Sequence, residues 1–500
     1  MLGSISTLRY FAGEHTGSFT IYGSNDGEKY TEISKFTSSY CFAWYDVKIE
    51  SSYKYIKIDS NDPATLGEVA FYNKKSTIAD LTAISESAKK LIDEKASVPD
   101  EISYLNSAYF DEIYFARSAF EYANNLEAYE WVHPPLGKLI QSIPIHFMGM
   151  TPFAYRLLGN IAGILMILVI YILAKNIFKS RKLALLAGFL IAFDTFHFAQ
   201  TRIGTVDSFL VLFILTSALF MYRYISSNEN TALKNKIKNL GFCGLFFGLA
   251  VCVKWSALYS GLGLAIVFFS KMIYEYFYAK KDLFKQYATI IPSCIAFFVV
   301  IPLTIYILCY LLFPNVAYYK ENSLGGIVEQ TKLIYDYHSG LDASHPYSSE
   351  WYTWPATIKP VWFYASYPDA NSKSTIAAIG NPAIWWFGII ALIFVLINSI
   401  SKKNKENAFI IILFLASWLP YAFIGRIMFL YHFFPSLPFM ILAIVSFIKY
   451  LTQKTKQRWI PYVYMFIVLT FFAIFYPVAS GYVASNEYID SLKWFSTWIF

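Results

Sequence analysis

The polar segment around which the rest of the chain is arranged begins with Tyr109-Phe110-Asp111-Glu112 and ends with His133-Pro134-Pro135-Leu136-Gly137-Lys138. The stretch carries adjacent carboxylates, a histidine, a rigid Pro-Pro turn and a lysine. It lies just before the first long apolar run of the chain, which begins at Phe153. A polar segment at the edge of apolar spans predicts chemistry at a membrane surface, with the two carboxylates as candidate acid/base groups.

The composition of the 500 residues indicates a membrane protein. They are 56% hydrophobic, 19% aromatic and 15% charged, with a mean hydropathy of +0.42. Soluble domains are about 45–50% apolar and about 25% charged, and single cores stop growing near about 250–300 residues. The chain is therefore expected to be polytopic, with the lipid bilayer as a partner. The net charge of +7 does not argue for nucleic acid, since the lysines cluster between apolar runs.

The apolar runs predict about ten membrane-spanning helices. They lie at 152–174, 183–199, 206–225, 239–253, 256–273, 287–313, 382–400, 407–424, 428–448 and 459–480.

Basic residues fall in alternate loops between these runs: Lys175, Lys179, Arg181 and Lys182; Lys234, Lys236 and Lys238; Lys280, Lys281 and Lys285; Lys402, Lys403 and Lys405; Lys454, Lys456 and Arg458. The positive-inside rule places these loops in the cytoplasm. The Asp111 segment and the long loop 314–381 are then expected to face outward.

Residues 1–75 differ from the rest of the chain. Apolar and polar residues alternate in short runs separated by turns such as Ser24-Asn25-Asp26-Gly27, which predicts an antiparallel β module. The strings GSNDGEKYTEI, YKYIKI and GEVAFYN resemble the later part of a discoidin-like β-sandwich. That resemblance implies a partial module of a kind that binds sugars, lipids or proteins; a mostly architectural role is expected here.

Two further expectations concern the chain around this module. Residues 76–103 show apolar residues at helical spacing, which predicts an amphipathic linker helix ended by Pro99. A module outside the membrane must be carried across, and Met1-Leu2-Gly3-Ser4 is no signal peptide. An upstream transmembrane helix is therefore expected to be missing, which would bring the spans to eleven.

The two central motifs each allow a functional and a structural interpretation. Asp111 and Glu112 fit a general base with a positioning partner, or a pair of acids stabilised at the start of a helix. In the second motif, Pro134-Pro135 fixes the backbone, so His133 and Lys138 point in set directions that suit phosphate binding. The alternative is an ordinary turn that enters a helix.

Further candidates lie at the outer ends of the spans, where buried charges usually mark functional sites: Arg156, Arg202, Asp207, Arg426 and His432. For Arg202 a structural salt bridge to Asp207 is the alternative. Lys254 is interpreted as a lysine that snorkels to the interface. Asp194 and His197 fit a metal or proton pair, and equally a local hydrogen bond.

The ordered strings YFDEIYFARSAFEY, HPPLGK, YRLLGNIAG, DTFHFAQTRIGTVDSFL, KPVWFYAS, IGNPAIWWFG and GRIMFLYHFFPSLPF resemble the protein O-mannosyltransferase family (glycosyltransferase family 39) over roughly residues 104–480. The resemblance implies a mostly α, polytopic membrane protein of the type-C glycosyltransferase fold. The predicted domains are the β module (1–75), the linker (76–103), a catalytic transmembrane region with the first outer loop (104–313), the long outer loop (314–381) and a C-terminal transmembrane region (382–500).

The resemblance also implies a reaction. Mannose would pass from polyprenyl-phosphate mannose to Ser/Thr hydroxyls of secreted or membrane proteins at the outer face of the cell membrane, with inversion. By motif position Asp111 would be the base with Glu112 beside it, and Arg156 would bind the lipid phosphate. His133, Lys138, Arg202, Arg426 and His432 would add donor contacts. No cofactor is implied, and a divalent metal is left open.

The sequence departs from well-known members in several ways. Loop 314–381 is too short for the β-trefoil repeats of eukaryotic enzymes, which implies a bacterial-type enzyme. A β module before the acidic pair is unusual, and the first transmembrane helix of the family is missing. Family members often carry an acid shortly before the His-Pro-Pro; here Glu130-Trp131-Val132 precedes it, which leaves the role of Glu130 open. The alternatives are a type-C transferase acting on a lipid or glycan, a transporter, and a non-catalytic adhesion protein. A transporter would place charges near mid-span.

Overall fold

The computed structural model describes residues 5–278, 284–311, 313 and 323–500. They form two compact units, Met1–Arg117 with Met148–Ala154, and Ser118–Phe147 with Tyr155–Phe500. Lys280 and Lys281 of one predicted basic loop, and the start of the predicted outer loop at 314–322, lie outside the described residues.

The β module of the first unit consists of two antiparallel sheets. Its strands are β1 (Ile5–Ala12), β2 (Ser18–Ser24), β3 (Thr31–Thr37), β4 (Ala43–Ser51), β5 (Tyr55–Ser60) and β6 (Leu66–Asn73). The sheets have the orders β4-β1-β6 and β3-β2-β5. Alternate residues point into one core, which includes Leu8, Tyr10, Ile21, Phe36 and Phe71. The predicted antiparallel module is confirmed, and its likeness to discoidin domains stays a prediction.

The predicted amphipathic helix at 76–103 is wrong. The segment holds only a four-residue helix, α1 (Glu86–Lys89), and a 3-10 turn at Lys95–Ser97. Its backbone pairs with β6 instead: the N–H of Ala79 donates to the carbonyl of Phe71 (2.7 Å), and the N–H of Val69 donates to that of Leu91 (2.7 Å). The apolar side chains that suggested a helix cover the edge of the module's core, where a sheet edge offers unpaired backbone groups.

The rest of the chain is mainly helical. The helices are α2 (Glu112–Ala123), α3 (Leu136–Met148), α4 (Pro152–Phe178), α5 (Arg181–Ala192), α6 (Thr195–Arg202), α7 (Asp207–Ile225), α8 (Leu233–Val253), α9 (Ala257–Tyr278), α10 (Phe284–Ile295), α11 (Ile301–Leu311), α12 (Leu324–Gly340), α13 (Pro382–Ser401), α14 (Lys405–Trp418), α15 (Leu437–Thr455), α16 (Ile460–Ser480) and α17 (Asn486–Ser491).

Among the described residues, nine helices are long and apolar enough to cross a membrane, or ten if a bent pair counts as one span. This confirms the predicted polytopic fold. The predicted span 183–199 is the bent pair, because α5 and α6 meet at 60°. Asp194 caps α6 at the break: its Oδ1 accepts from the N–H of His197 (2.8 Å), and its Oδ2 accepts from the indole N–H of Trp385 (2.8 Å).

The part of the long outer loop that the structure describes contains α12, a 3-10 turn at Trp351–Ala356 and two strands, β7 (Val361–Asp369) and β8 (Ser372–Ala378). With the short β9 (Ala484–Ser485) these strands form a sheet of order β7-β8-β9. The described part of this loop therefore has regular secondary structure of its own.

Candidate active site

The acidic pair sits at the start of α2 in the first unit. Phe110 has a φ of +49°, a left-handed conformation that non-glycine residues rarely adopt. Glu112 is fully buried, and its carboxylate accepts from the N–H of Tyr109 (3.1 Å). Glu112 therefore fills the helix-start role that the sequence left open. Asp111 is half-buried and is the more exposed acid of the pair.

The β module holds the segment just before this pair. The N–H of Trp44 donates to the hydroxyl of Ser107 (3.0 Å), and the N–H of Ala108 donates to the carbonyl of Phe42 (2.9 Å). Phe42, like Phe110, has a positive φ of 52°. The start of β4 thus fixes the backbone only a few residues before Asp111.

In the second unit, Glu130 binds both polar residues of the His-Pro-Pro motif. Its Oε1 pairs with Nδ1 of His133 (2.7 Å), and its Oε2 accepts from the ammonium of Lys138. Lys138 is fully buried and also donates to the carbonyl of His133 (3.3 Å). Burial alone would raise the pKa of Glu130, but Lys138 and His133 outweigh it and lower the pKa to about 2. Glu130 is therefore an anion that sets the directions of His133 and Lys138.

Lys254 is not the snorkelling residue that the sequence favoured. Its ammonium pairs with Asp207 at 3.0 Å, and both side chains are about nine-tenths buried. It also lies 5.7 Å from the ring centroid of Tyr431. Lys254 follows α8 and Asp207 begins α7, so the pair joins two helix ends that are far apart in sequence.

Arg202 does not form the predicted alternative bridge to Asp207 within the described residues. Its guanidinium donates to the carbonyl of Ser480 (3.1 Å) and lies over the ring of Phe198 (4.7 Å). It joins the end of α6 to the end of α16 at the same side of the bundle.

Five basic side chains of the second unit act on one another electrostatically; they are called the basic cluster here: His133, Lys254, His338, Arg426 and His432. The rings of His133 and His338 are 5.3 Å apart. Burial, together with the charges of His133, Arg426 and Lys254, lowers the pKa of His338 to about 4. Burial likewise lowers the pKa of His133, against the pull of Glu130.

Aromatic rings pack against His432 of the basic cluster. The ring of His432 stacks on Tyr431 (4.9 Å) and on the buried Trp354 (6.0 Å). Arg426 forms no ion pair with a carboxylate in the part of the chain that the structure describes. Since Asp207 compensates only Lys254, the cluster keeps an excess of positive charge, which suits a phosphate.

Arg156 lies in the first turn of α4. Its guanidinium stacks on the ring of Tyr155 (5.1 Å) and contacts the hydroxyl of Tyr155 (3.4 Å). The amide of Gln141 donates to the carbonyls of Tyr155 (2.8 Å) and Gly204 (2.9 Å), which ties α3 to α4 and to the turn before α7.

The described residues hold no group of three or more His, Cys, Asp and Glu side chains arranged for a metal ion. Asp194 and His197 make the local hydrogen bond, so the metal-pair interpretation finds no support. The five cysteines are free thiols, and four of them are buried.

The structure therefore places most predicted site residues in one unit. Three of them are members of the basic cluster: His133, Arg426 and His432. Lys138 and Asp207 contact its members His133 and Lys254. Asp111 and Glu112 belong to the first unit. The sequence missed Glu130 as a partner, Lys254 as a site cation and His338 altogether. The 47-residue spacing of Asp207 and Lys254 does not indicate that they pair. In contrast, the position of Glu130, three residues before His133, could have indicated their contact.

Two family models match this chain. The model described as dolichyl-phosphate-mannose-protein mannosyltransferase matches residues 100–316. The model of the C-terminal four-transmembrane region of protein O-mannosyltransferase matches residues 323–498.

Individual proteins give the same result. A polyprenol-phosphate-mannose–protein mannosyltransferase of Corynebacterium glutamicum is 24% identical over 73% of this chain and 81% of its own length. One of Mycobacterium tuberculosis is 23% identical over 78% and 86%. Among solved structures, the Saccharomyces cerevisiae protein O-mannosyltransferase Pmt1-Pmt2 complex bound to the sugar donor matches with a TM-score of 0.69 at 14% identity, over 79% of this chain and 89% of that one.

The likeness to the yeast complex concerns the fold, and the two family models together span nearly all of the chain after the β module and its linker. The chain belongs to the protein O-mannosyltransferase family.

Proposed function

We propose that this protein transfers mannose from polyprenyl-phosphate mannose to Ser/Thr hydroxyls of proteins, at the outer face of the membrane and with inversion. The observation that carries the proposal is the basic cluster at the ends of membrane spans, in a chain of this family. A lipid-linked donor keeps its tail in the bilayer, so its phosphate meets the protein at such helix ends.

The cations have distinct tasks in this proposal. Lys254 and Arg426 contact the phosphate directly, Lys254 being held by Asp207. Arg156, near the start of α4, and Arg202, at the end of α6, add further donor contacts. His432 of the basic cluster adds another. Lys138 is buried against Glu130 and acts through His133, whose direction it helps to fix.

Asp111 is the proposed base. Its carboxylate accepts the proton of the incoming Ser/Thr hydroxyl while the hydroxyl oxygen bonds to the anomeric carbon. The bond from that carbon to the phosphate oxygen breaks, and polyprenyl phosphate leaves. One base and one leaving group suffice, so the anomeric centre inverts. Cations that neutralise the charge growing on the leaving phosphate supply a large part of such catalysis.

The test uses membranes that contain the full chain, labelled polyprenyl-phosphate mannose and a Ser/Thr-rich peptide. Label is expected on a peptide hydroxyl. The Asp111→Asn variant should lose at least about 10²-fold in transfer, as for removal of a general base, and should still bind the donor. Label found only on a lipid or glycan would contradict the protein acceptor; full activity of Asp111→Asn would contradict the base.

A further inference from the structure

Helix α12, in the outer loop, rests on the backbone of the His-Pro-Pro segment. The amide of Gln330 donates to the carbonyl of Trp131 (3.2 Å), and Nε2 of His338 bonds to the carbonyl of Val132 (2.8 Å). The rings of Trp131 and Tyr337 meet edge to face at 5.6 Å. The helix is thus attached near its middle and at its C-terminal end.

These contacts define the protonation of His338. A carbonyl oxygen only accepts hydrogen bonds, so Nε2 of His338 carries the proton. The other ring nitrogen, Nδ1, is buried and has no hydrogen-bond partner within the described part of the chain. Burial, together with the neighbouring His133, Arg426 and Lys254, lowers the pKa of His338 to about 4, so the ring is neutral at neutral pH. Nδ1 is therefore an unused acceptor.

An acceptor beside a phosphate site selects what it can bind. Phosphate oxygens of the donor are themselves acceptors at neutral pH and offer no proton to Nδ1. A hydroxyl group can donate. The group covalently next to the phosphate in polyprenyl-phosphate mannose is the mannosyl ring, which carries four hydroxyls.

We propose that Nδ1 of His338 accepts a hydrogen bond from a hydroxyl of the mannosyl group. Helix α12 then recognises the sugar, while the cations bind the phosphate. This inference rests on the proposed function, since it takes the basic cluster as the phosphate site. It makes His338 a determinant of donor specificity.

Two substitutions separate the hydrogen bond that Nε2 of His338 donates from the one that Nδ1 is proposed to accept. The amide nitrogen of His338→Gln can take the place of Nε2 and keep the bond to Val132, while the acceptor is lost. The amide oxygen of His338→Asn can take the place of Nδ1 and keep the acceptor, while the bond to Val132 is lost. Lys332→Ala, at an exposed position of α12, is the matched control.

The experiment measures KM and kcat of each variant with polyprenyl-phosphate mannose and with donors that lack one sugar hydroxyl. Wild type, Lys332→Ala and His338→Asn should each lose about 3- to 10-fold in kcat/KM with one deoxy donor, the range of a single neutral hydrogen bond. His338→Gln should show that loss already with the full donor and no further loss with that deoxy donor, as a double-mutant cycle requires. Thermal melting in detergent reports whether each variant is folded.

The proposal would be overturned if His338→Gln still lost kcat/KM with that deoxy donor and His338→Asn did not. That result would favour a purely structural bond between His338 and Val132. Equal losses with every deoxy donor, or a change only in the KM of the peptide, would overturn it too. Binding of polyprenyl phosphate, which has no sugar, should be the same in wild type and His338→Gln. If wild type itself does not bind polyprenyl phosphate, the phosphate site of the proposed function fails instead.

Discussion

Lys254 and Glu130 are two buried charges of the same unit with different partners. The ammonium of Lys254 has one carboxylate, Asp207, and lies among histidines and Arg426. The carboxylate of Glu130 has two basic partners, the ammonium of Lys138 and the ring of His133. Lys254 is proposed to contact the phosphate of the ligand, whereas Glu130 positions His133 and Lys138.

Replacing Lys254 tests the phosphate contact. Lys254→Met is expected to weaken polyprenyl phosphate binding by about 10- to 100-fold, because hydrogen bonds to charged groups contribute about 1.5–3 kcal/mol. Titration of the purified protein with polyprenyl phosphate measures it.

Lys271→Met is the control, since Lys271 is also buried in an ion pair, with Glu275 at 2.6 Å, but lies at the other end of α9. It should leave the affinity unchanged. Equal losses in both variants would mean that Lys254 matters for stability alone.

Glu130→Gln is expected to destabilise the protein by about 3–5 kcal/mol, because it leaves the buried Lys138 without its counter-charge. Thermal melting in detergent measures the loss. The double variant Glu130→Gln with Lys138→Met should recover part of it, since no lone charge remains. A single variant as stable as wild type would contradict the role of Glu130.

The same pair predicts how stability depends on pH. The pKa of Glu130 is lowered to about 2 in the folded protein, against about 4.3 in an unfolded chain. Its stabilising contribution is therefore complete above pH 4.3, roughly, and is lost as the pH falls toward about 2. Melting curves of wild type and Glu130→Gln should converge only over that acidic range. Convergence already near neutral pH would contradict the lowered pKa.

At the scale of elements, the break between α5 and α6 depends on one carboxylate. Asp194 accepts the capping bond from His197 and the indole bond from Trp385, and both oxygens are buried. The break between α5 and α6 is therefore stabilised, since the backbone N–H of His197 and the indole N–H of Trp385 both have an acceptor.

Asp194→Ala is expected to destabilise the protein by about 2–4 kcal/mol, the sum of a lost helix cap and an unsatisfied buried indole. Asn404→Ala is the control: Asn404 caps α14 through the N–H of Asn407 (2.8 Å) and should lose only about 1 kcal/mol. Thermal melting compares the two. Equal losses would show that the indole bond contributes nothing.

Elements were predictable where their pattern is local. The apolar runs predicted the spans because length and hydropathy decide insertion, and the alternation in residues 5–73 predicted the strands. The linker prediction failed because the apolar residues of 76–103 pack on β6, and helical spacing alone does not show that competing partner. Lys254 was misinterpreted for a similar reason: its partner Asp207 lies 47 positions earlier in the chain.

In the molecule as a whole, the candidate site residues and the lysine-rich loops lie at opposite ends of the described spans. Asp207, Lys254 and Arg426 lie at one set of helix ends, and the lysine-rich loops after α4, before α8 and after α13 lie at the other. Alternation along the chain keeps the two sets apart, so a single measurement of sidedness tests the orientation of the site.

Introduced cysteines provide that measurement, because four of the five native thiols are buried. Ser344→Cys, at an exposed position of the outer loop, should react with a membrane-impermeant thiol reagent in intact cells. Lys182→Cys, at an exposed position in the first turn of α5, should react only after the cells are made permeable. The reverse pattern would place the transfer reaction in the cytoplasm.

The hold of β4 on Ser107 and Ala108 has a practical consequence for protein engineering. Asp111 lies four positions after Ser107, so the two Cα atoms are no more than about 14 Å apart even in a fully extended chain. Removing the residues before 76 to obtain a smaller enzyme would remove the hydrogen bonds that hold Ser107 and Ala108. The N-terminal sheets therefore help to position Asp111, the proposed base, and we expect a minimal version of this transferase to need them.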